Sequence, residues 1–518
     1  MTLLSGRLSQ ERLYHMRSAI PIISYEKCNV SSLKILGVLF DCKYTFRFHC
    51  NYIRNKLIKR LNIIKYFSSK KSFVHTTTLC NIVKALFLTV IDYALPIYGT
   101  CAKSNLNLLS APYYAAVRKS LRAFTTTPVD NMLTESGLPS INERIEYMTA
   151  SLIYKILCCS NSHLFDEILK ASNRKYLPKR LSAIHRVLIT AKKLNVSVKP
   201  TRKVNPNYPP WLLSDLSIET RLQTFQKQNT CPQLYAQNFL EYKAELSQKA
   251  FNFIFTDGSK TKFSTSFAVV SENLDVLRKG ILPNHCSIYT SEIFAIHQAA
   301  LIASKTKGNF CICTDSRSAI DALWKFKKDS VLVTHTRDLL IKHKNKIKLM
   351  WIPGHCGIQG NELADSVAKS LHNNPAICFD TLEKADLSRH VRQYINNKSL
   401  LKWKEYVHHY ADINPTKIRP TFPSDAKQSD ILVFTRLRLG HTQITHGHLL
   451  SHGVSLCNVC GAMSTSVKHI LDNCPRFSIQ RQRIFGSTVP SQLLSDTAAL
   501  NISKISSFIA SCNLSHLI

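Results

Sequence analysis

Four acidic side chains stand where a chain could place metal ligands: Asp257, Glu292, Asp315 and Asp365. Carboxylate oxygens and water suit magnesium or manganese. Two such ions about 4 Å apart can clamp a phosphodiester, one lowering the pKa of a bound water and the other stabilising the departing 3′ oxygen. Without a cation, four clustered carboxylates would repel one another and raise their own pKa values. Taken singly, each has a plainer reading. An Asp after a strand serves as a turn residue or helix cap, and Glu292 alone serves as a capping acid. The four together, with their flanking residues, are a more specific signal.

The elements that must position them can be read from the apolar pattern. Asp257 follows the run Phe253-Ile254-Phe255-Thr256, and Asp315 follows Phe310-Cys311-Ile312-Cys313-Thr314. Both are expected to terminate strands, the end at which ligand groups gather in open α/β sheets. Gly258 directly after Asp257 would let a backbone approach closely, as an incoming phosphodiester would need. Tyr289-Thr290-Ser291-Glu292 reads as a helix start, with Thr290 or Ser291 as N-cap. Asp365 lies in the first turns of a helix after a glycine-rich loop that contains His355. Strand-like runs at 251–256, 265–271, 276–282, 310–314 and 347–352 alternate with helix-like runs at 291–305, 316–328, 331–343 and 361–372. Three successive strands followed by alternation predict a mixed sheet with helices packed on it.

A second constellation lies near the C-terminus: Cys457-x2-Cys460-x8-His469-x4-Cys474. The first pair can form a knuckle with Gly461 in the turn, and His469 and Cys474 can close a tetrahedral zinc site. Spare buried cysteines are the alternative. His441, His446, His448 and His452 lie close enough in sequence to substitute for a ligand.

The chain holds 68 Lys+Arg against 33 Asp+Glu, a formal charge of +35, and its first 200 residues are the more basic per residue. Such an imbalance calls for an anionic partner, and nucleic acid fits better than a membrane surface because no basic amphipathic helix stands out. Lys325-Phe326-Lys327-Lys328 and Lys342-His343-Lys344-Asn345-Lys346 read equally as phosphate contacts and as solvated helix faces. The 17 cysteines, an odd number mostly within apolar runs, suit buried thiols in a reducing compartment. With no signal-peptide core and no uninterrupted apolar stretch of about 18 residues, an intracellular chain, in cytoplasm or nucleus and off the membrane, is expected. Proline-rich stretches at 200–211 and 414–423 read as linkers. The first segment is mainly helical in pattern, with helices around 52–67, 78–93 and 144–157 after a strand and turn at 32–41.

Four segments together resemble type 1 ribonuclease H: Phe255-Thr256-Asp257-Gly258-Ser259, Ser291-Glu292-Ile293-Phe294-Ala295, Thr314-Asp315-Ser316 and the long run Trp351–Asp365 (WIPGHCGIQGNELAD). Their spelling is similar to the version carried by LINE-type, jockey-like retrotransposons. The resemblance implies an α/β fold: a ribonuclease H-like mixed five-stranded sheet with flanking helices. It implies cleavage of the RNA strand of RNA–DNA hybrids with two Mg2+ (or Mn2+). Asp257 would bridge both ions, Glu292 and Asp315 would complete the sites, and Asp365 would hold the second. His355 would assist proton transfer or product release from a mobile loop. Gly258, Ser259 and Ser316 are candidate readers of the 2′-hydroxyls in the hybrid's shallow minor groove.

The flanks are similar to other parts of such elements. Residues 1–199 resemble the palm end and thumb of a LINE-type reverse transcriptase, and the Cys457–Cys474 region resembles the zinc-binding tail that follows ribonuclease H there. No Asp-Asp dipeptide occurs in the chain. Polymerase chemistry is therefore not expected, and the resemblance implies a 5′-truncated frame lacking the fingers and most of the palm. The expected organisation is a thumb-like remnant at 1–199, a linker at 200–250, ribonuclease H at 251–375, a helical linker at 376–430 and a small helical zinc-binding tail at 431–518. A catalytically idle nucleic-acid-binding remnant is the competing expectation.

Overall fold

The computed structural model describes residues 32–41, 43–69, 74–157, 183–195, 211, 216–219, 221–224, 231–325, 330–373, 379, 381, 383–451, 457, 460–461 and 465–518. They form two compact units. One takes in the described residues up to Thr149, Ala183 and those from Ile395 onward, and the other the described residues from 150 to 157 and from Ile184 to Tyr394.

The second unit is α/β. Its strands are β1 (Ile218–Glu219), β2 (Phe251–Lys260), β3 (Thr265–Ser271), β4 (Val276–Leu282), β5 (Asn309–Thr314) and β6 (Ile347–Trp351). They lie in the order β1-β6-β5-β2-β3-β4. The β1-β6, β6-β5 and β5-β2 pairs are parallel, and the β2-β3 and β3-β4 pairs antiparallel. The sheet thus has six strands where the sequence pattern gave five. The extra strand is two residues long, Ile218 and Glu219 pairing with Leu349 and Met350. So short a strand has no periodicity to read, and it falls in the stretch expected to be a linker.

The apolar strand runs are buried on both faces, as parallel strands require. Ile254, Ile312 and Leu349 share one core with α2 (Ile288–Lys305), α3 (Arg317–Trp324) and α4 (Val331–Lys342). Phe253, Phe255, Cys311, Cys313 and Met350 share another with α1 (Pro232–Gln248) and α5 (Gln359–Ser370). Successive side chains of a strand point to opposite faces, so one run feeds both cores. Tyr242, Phe239 and Leu246 of α1 are buried there, each large side chain worth about 2 kcal/mol. That helix, too, lies in the supposed linker.

Two local expectations change. The helix carrying Glu292 begins at Ile288, with Ser287 as N-cap, its side chain accepting from the Thr290 amide, so Thr290 and Ser291 are already helical. Asp257 does not end its strand. Parallel pairing with β5 stops at Thr256↔Thr314, but β2 continues to Lys260 against β3, with Asp257 opposite Ala268. Asp257 is therefore held by one neighbouring strand while its other edge is open.

The first unit is mainly helical. A hairpin, Ser32–Ile35 and Val38–Asp41, turns at Gly37, whose φ of +84° suits glycine. Helices Arg47–Phe67 and Lys103–Ser120 bury Ile53, Leu57, Ile64, Leu109 and Val117 in one core. Helices Gln428–Leu439 and Ala499–Ser511 build another around Phe434, Leu437, Ile505 and Phe508. Glu135 and Arg438, from two chain segments of this unit, form a buried ion pair at 3.1 Å. Among the described residues, no helix is long and apolar enough to cross a membrane.

Candidate active site and metal centres

Asp257, Glu292 and Asp315 each place a carboxylate oxygen within 4.8 Å of the other two. β2 supplies the first, the second turn of α2 the second, and the residue after β5 the third. Gly258 is what lets α2 come this close. A Cβ there would overlap Ser291 Oγ and sit 2.9 Å from the Glu292 amide nitrogen. The close approach read from the sequence is therefore first of all intramolecular. On the far side, a Cβ at Gly354 would lie 2.5 Å from Asp315 Oδ2, so the loop after β6 crosses directly over that carboxylate. Trp351 Nε1 donates to the Asp315 carbonyl at 3.1 Å and holds the same junction.

Asp365 is outside this trio. One turn on, Lys369 Nζ donates to its Oδ2 at 2.7 Å, a pairing at i,i+4 that the sequence allows one to find. Its carboxylate nonetheless lies against that of Asp257 and raises it. Burial, then the Asp315 and Asp365 carboxylates, push Asp257 up to about 8 against the pull of the Gly258 amide. Burial, then Asp257 and Asp315, hold Glu292 well above the usual carboxylate range. Glu292 Oε2 is buried with no hydrogen-bond partner. Buried oxygens that raise one another's pKa, one of them orphaned, fit a hard divalent cation, which reverses the local electrostatics.

The other predicted residues are placed as follows. His355 is exposed on the loop between β6 and α5, with φ +58°, and is not part of the carboxylate cluster. The loop is tied down beyond it by Glu362, whose Oε1 accepts from the Gly357 amide at 2.9 Å. Ser259 is buried, and its Oγ lies 3.0 Å from His372 Nε2, a partner that sequence reasoning missed because 113 residues separate them. Ser316 is the N-cap residue of α3 and its hydroxyl lies 3.3 Å from that of Ser318. Of the two basic runs, Phe326 to Lys328 lie outside the described residues. Lys346 donates to the carbonyls of Ser304 and Thr306 at the end of α2, a helix-capping role.

The Cys457, Cys460, His469 and Cys474 ligand atoms also lie within 4.8 Å of one another, with Cys460 Sγ 3.4 Å from His469 Nε2. Gly461, at φ +74°, donates its amide to the Cys457 carbonyl at 2.8 Å and closes the knuckle. Burial pushes the Cys474 thiol up to about 11, and Cys460 adds to the rise. Three sulfurs and an imidazole in one shell fit zinc. None of His441, His446 and His448 joins this group. His441 stacks on His446 with ring centroids 3.6 Å apart and meets Thr126 Oγ1 at 3.0 Å. His452 lies outside the described residues.

Residues 249–372 match the family model for RNase H. Comparison of the chain with curated proteins gives no match. The match spans β2 to α5 and with them all four acids, and together with the mixed sheet it identifies residues 249–372 as an RNase H domain.

Proposed function

We propose that this domain hydrolyses the RNA strand of RNA–DNA hybrids with two divalent ions, Mg2+ or Mn2+. The observation that carries the reading is the buried trio Asp257, Glu292 and Asp315, with the orphaned Glu292 Oε2 among them. Bound there, the ions would activate a water and stabilise the departing 3′ oxygen. Asp257 would hold both ions, Glu292 and Asp315 would complete the shell and orient the water, and Asp365 would help to hold the second ion. His355, exposed on its loop, exchanges protons with solvent and product. The Gly258 and Ser259 backbone and Ser316 face the minor groove of the hybrid, where a 2′-hydroxyl tells RNA from DNA.

The net charge of +35 supports a nucleic-acid partner. We further read the flanks as retroelement-derived: a thumb-like segment before the RNase H domain and a structural zinc site at Cys457, Cys460, His469 and Cys474 after it.

The test is purified full chain with Mg2+ on three labelled substrates: RNA–DNA hybrid, duplex RNA and duplex DNA. Cleavage confined to the RNA of the hybrid, and lost with Asp257→Asn, supports the reading. Hybrid binding without cleavage across a range of Mg2+ and Mn2+ concentrations would sink it in favour of an idle binding remnant.

A further inference from the structure

The chain after α5 bends back onto the RNase H domain beyond the residues that match the family. Phe379 donates its amide to the Ile281 carbonyl at 2.8 Å, and its ring packs against Phe267 and Phe294. The next helix, Lys384–Lys404, opens with two acids one turn apart, Glu383 and Asp386, and each meets the start of a different helix. Glu383 Oε1 accepts from the Leu332 amide at 2.9 Å, at the start of α4. Asp386 Oδ2 accepts from the Ser287 amide at 3.1 Å and from Thr290 Oγ1 at 2.5 Å, at the start of α2. Its other oxygen accepts from Arg389 at 3.0 Å, and its side chain is 1% exposed.

The consequence lies on α2. Thr290 is followed by Ser291 and Glu292, whose backbone is pressed against Gly258 beside Asp257. A helix start is positively polarised, so a buried carboxylate there is both electrostatically favoured and geometrically fixed. Glu292 meets the other two carboxylates with its Oε2 buried and without a hydrogen-bond partner, while the Gly258 amide acts on the same carboxylate. The clamp two residues upstream holds the helix start from the other side.

We propose that Asp386 is a positioning residue for the carboxylate site: through Ser287 and Thr290 it fixes the start of α2 and so the distance from Glu292 to Asp257. The inference rests on the hybrid-cleaving function proposed above. Groups that orient metal-binding side chains at one remove typically cost about 10- to 100-fold in affinity or activity when lost.

The experiment uses the full chain with Asp386→Ala, Asp386→Glu, Thr290→Val and Glu383→Gln. Three quantities are read: Mn2+ binding by calorimetry without nucleic acid, kcat and KM on the hybrid, and thermal unfolding. Asp386→Ala and Thr290→Val should each weaken Mn2+ binding and lower kcat by about tenfold with KM within about twofold. The double variant should be no worse than the poorer single one, because both remove one linkage. Asp386→Glu should recover part of the loss. Glu383→Gln should alter thermal unfolding alone, since it serves α4. Unchanged Mn2+ binding in Thr290→Val, which only exchanges a hydroxyl for a methyl and leaves the fold in place, would overturn the proposal even where Asp386→Ala fails to fold. A wild-type chain that binds Mn2+ through Asp257 but cuts nothing would instead defeat the proposed function, leaving the Asp386 linkage to be judged on metal binding.

Discussion

The carboxylate centre draws Asp257, Glu292 and Asp315 from β2, α2 and the end of β5, whereas the thiolate–imidazole centre takes all four groups from Cys457 to Cys474. The first is assembled by a finished fold. Its acids meet because β2 and β5 pair in register and α2 packs on both, and the cores on either face of the sheet hold them there against their repulsion. The second has, among its described residues, a knuckle at Gly461 and a short π-helical turn at His469–Asn473, with Cys457 and Cys474 at the edge of the Phe434–Phe508 core. Where scaffold precedes ligand, metal can leave without the fold leaving. Where ligands supply much of the local order, metal and fold should go together.

The largest expected effect breaks that symmetry. Stripping zinc with a strong thiophilic chelator should cost the tail on the order of 10 kcal/mol of metal-linked folding free energy. Hydrogen exchange should show protection lost around Cys474 and Leu471, with the sheet of the RNase H domain unaffected. Cys457→Ser should behave alike. A tail that keeps its protection after zinc removal would show that the buried Leu471 and Phe477 suffice, and the contrast between the two centres would fall.

At the other centre, Asp257→Asn should remove about 4 kcal/mol of transition-state stabilisation, roughly a 10³-fold loss in kcat, with the fold intact. Magnesium at 100 times its dissociation constant should stabilise the wild-type domain by about 2.7 kcal/mol and the Asp257→Asn variant by far less, read from denaturant melts. Equal stabilisation of both proteins would mean that the ion binds elsewhere.

Glu383 sharpens the comparison as a buried acid that belongs to neither proposed metal centre. Burial raises it to about 7 from 4.5, against the Leu332 amide, with Asp386 adding to the rise and Tyr289 its other titratable neighbour. A folded value above the unfolded one means that the native state holds the proton longer. Its contribution to stability is therefore complete below about pH 4.5 and is lost as pH rises through about 7. The loss is at most about 3.4 kcal/mol, at 1.36 kcal/mol for each unit. With saturating magnesium, which holds the trio ionised, denaturation at pH 5 and pH 8 should show it in wild type, and Glu383→Gln should flatten it. A pH slope that magnesium abolishes would trace the effect to the carboxylate trio instead.

How far the sequence could be read follows the same division. The Cys–His spacing is visible directly because its ligands are neighbours. The four acids are visible only through the residues around them, such as Thr256 and Gly258 or the long run before Asp365. The five longer strands and their helices follow from apolar alternation. Three features do not: the two-residue β1, the start of α2 at Ser287, and the clasp of Asp386 on Thr290 across 96 residues. Each depends on a pairing partner distant in the chain, and a polar residue that caps another element carries no local pattern. The proline-rich stretch before 216 drew the whole of 200–250 into a linker, although Tyr242, Phe239 and Leu246 of α1 recur at helical spacing and complete the second core.

The smallest effect concerns Gly258 and separates two explanations for one residue. Gly258→Ala brings a methyl against Ser291 Oγ and the Glu292 backbone, and the helix start must retreat. Overpacking of this kind costs about 1–3 kcal/mol. If the glycine serves the meeting of β2 with α2, the variant loses kcat and Mn2+ affinity together while KM for the hybrid holds, the same pattern as Thr290→Val. If it serves the approach of substrate, KM rises and metal binding stays. The structure favours the first pattern, since the nearest atoms a Cβ would meet belong to the helix that carries Glu292. The metal titration without nucleic acid decides between them, because the hybrid is absent from it.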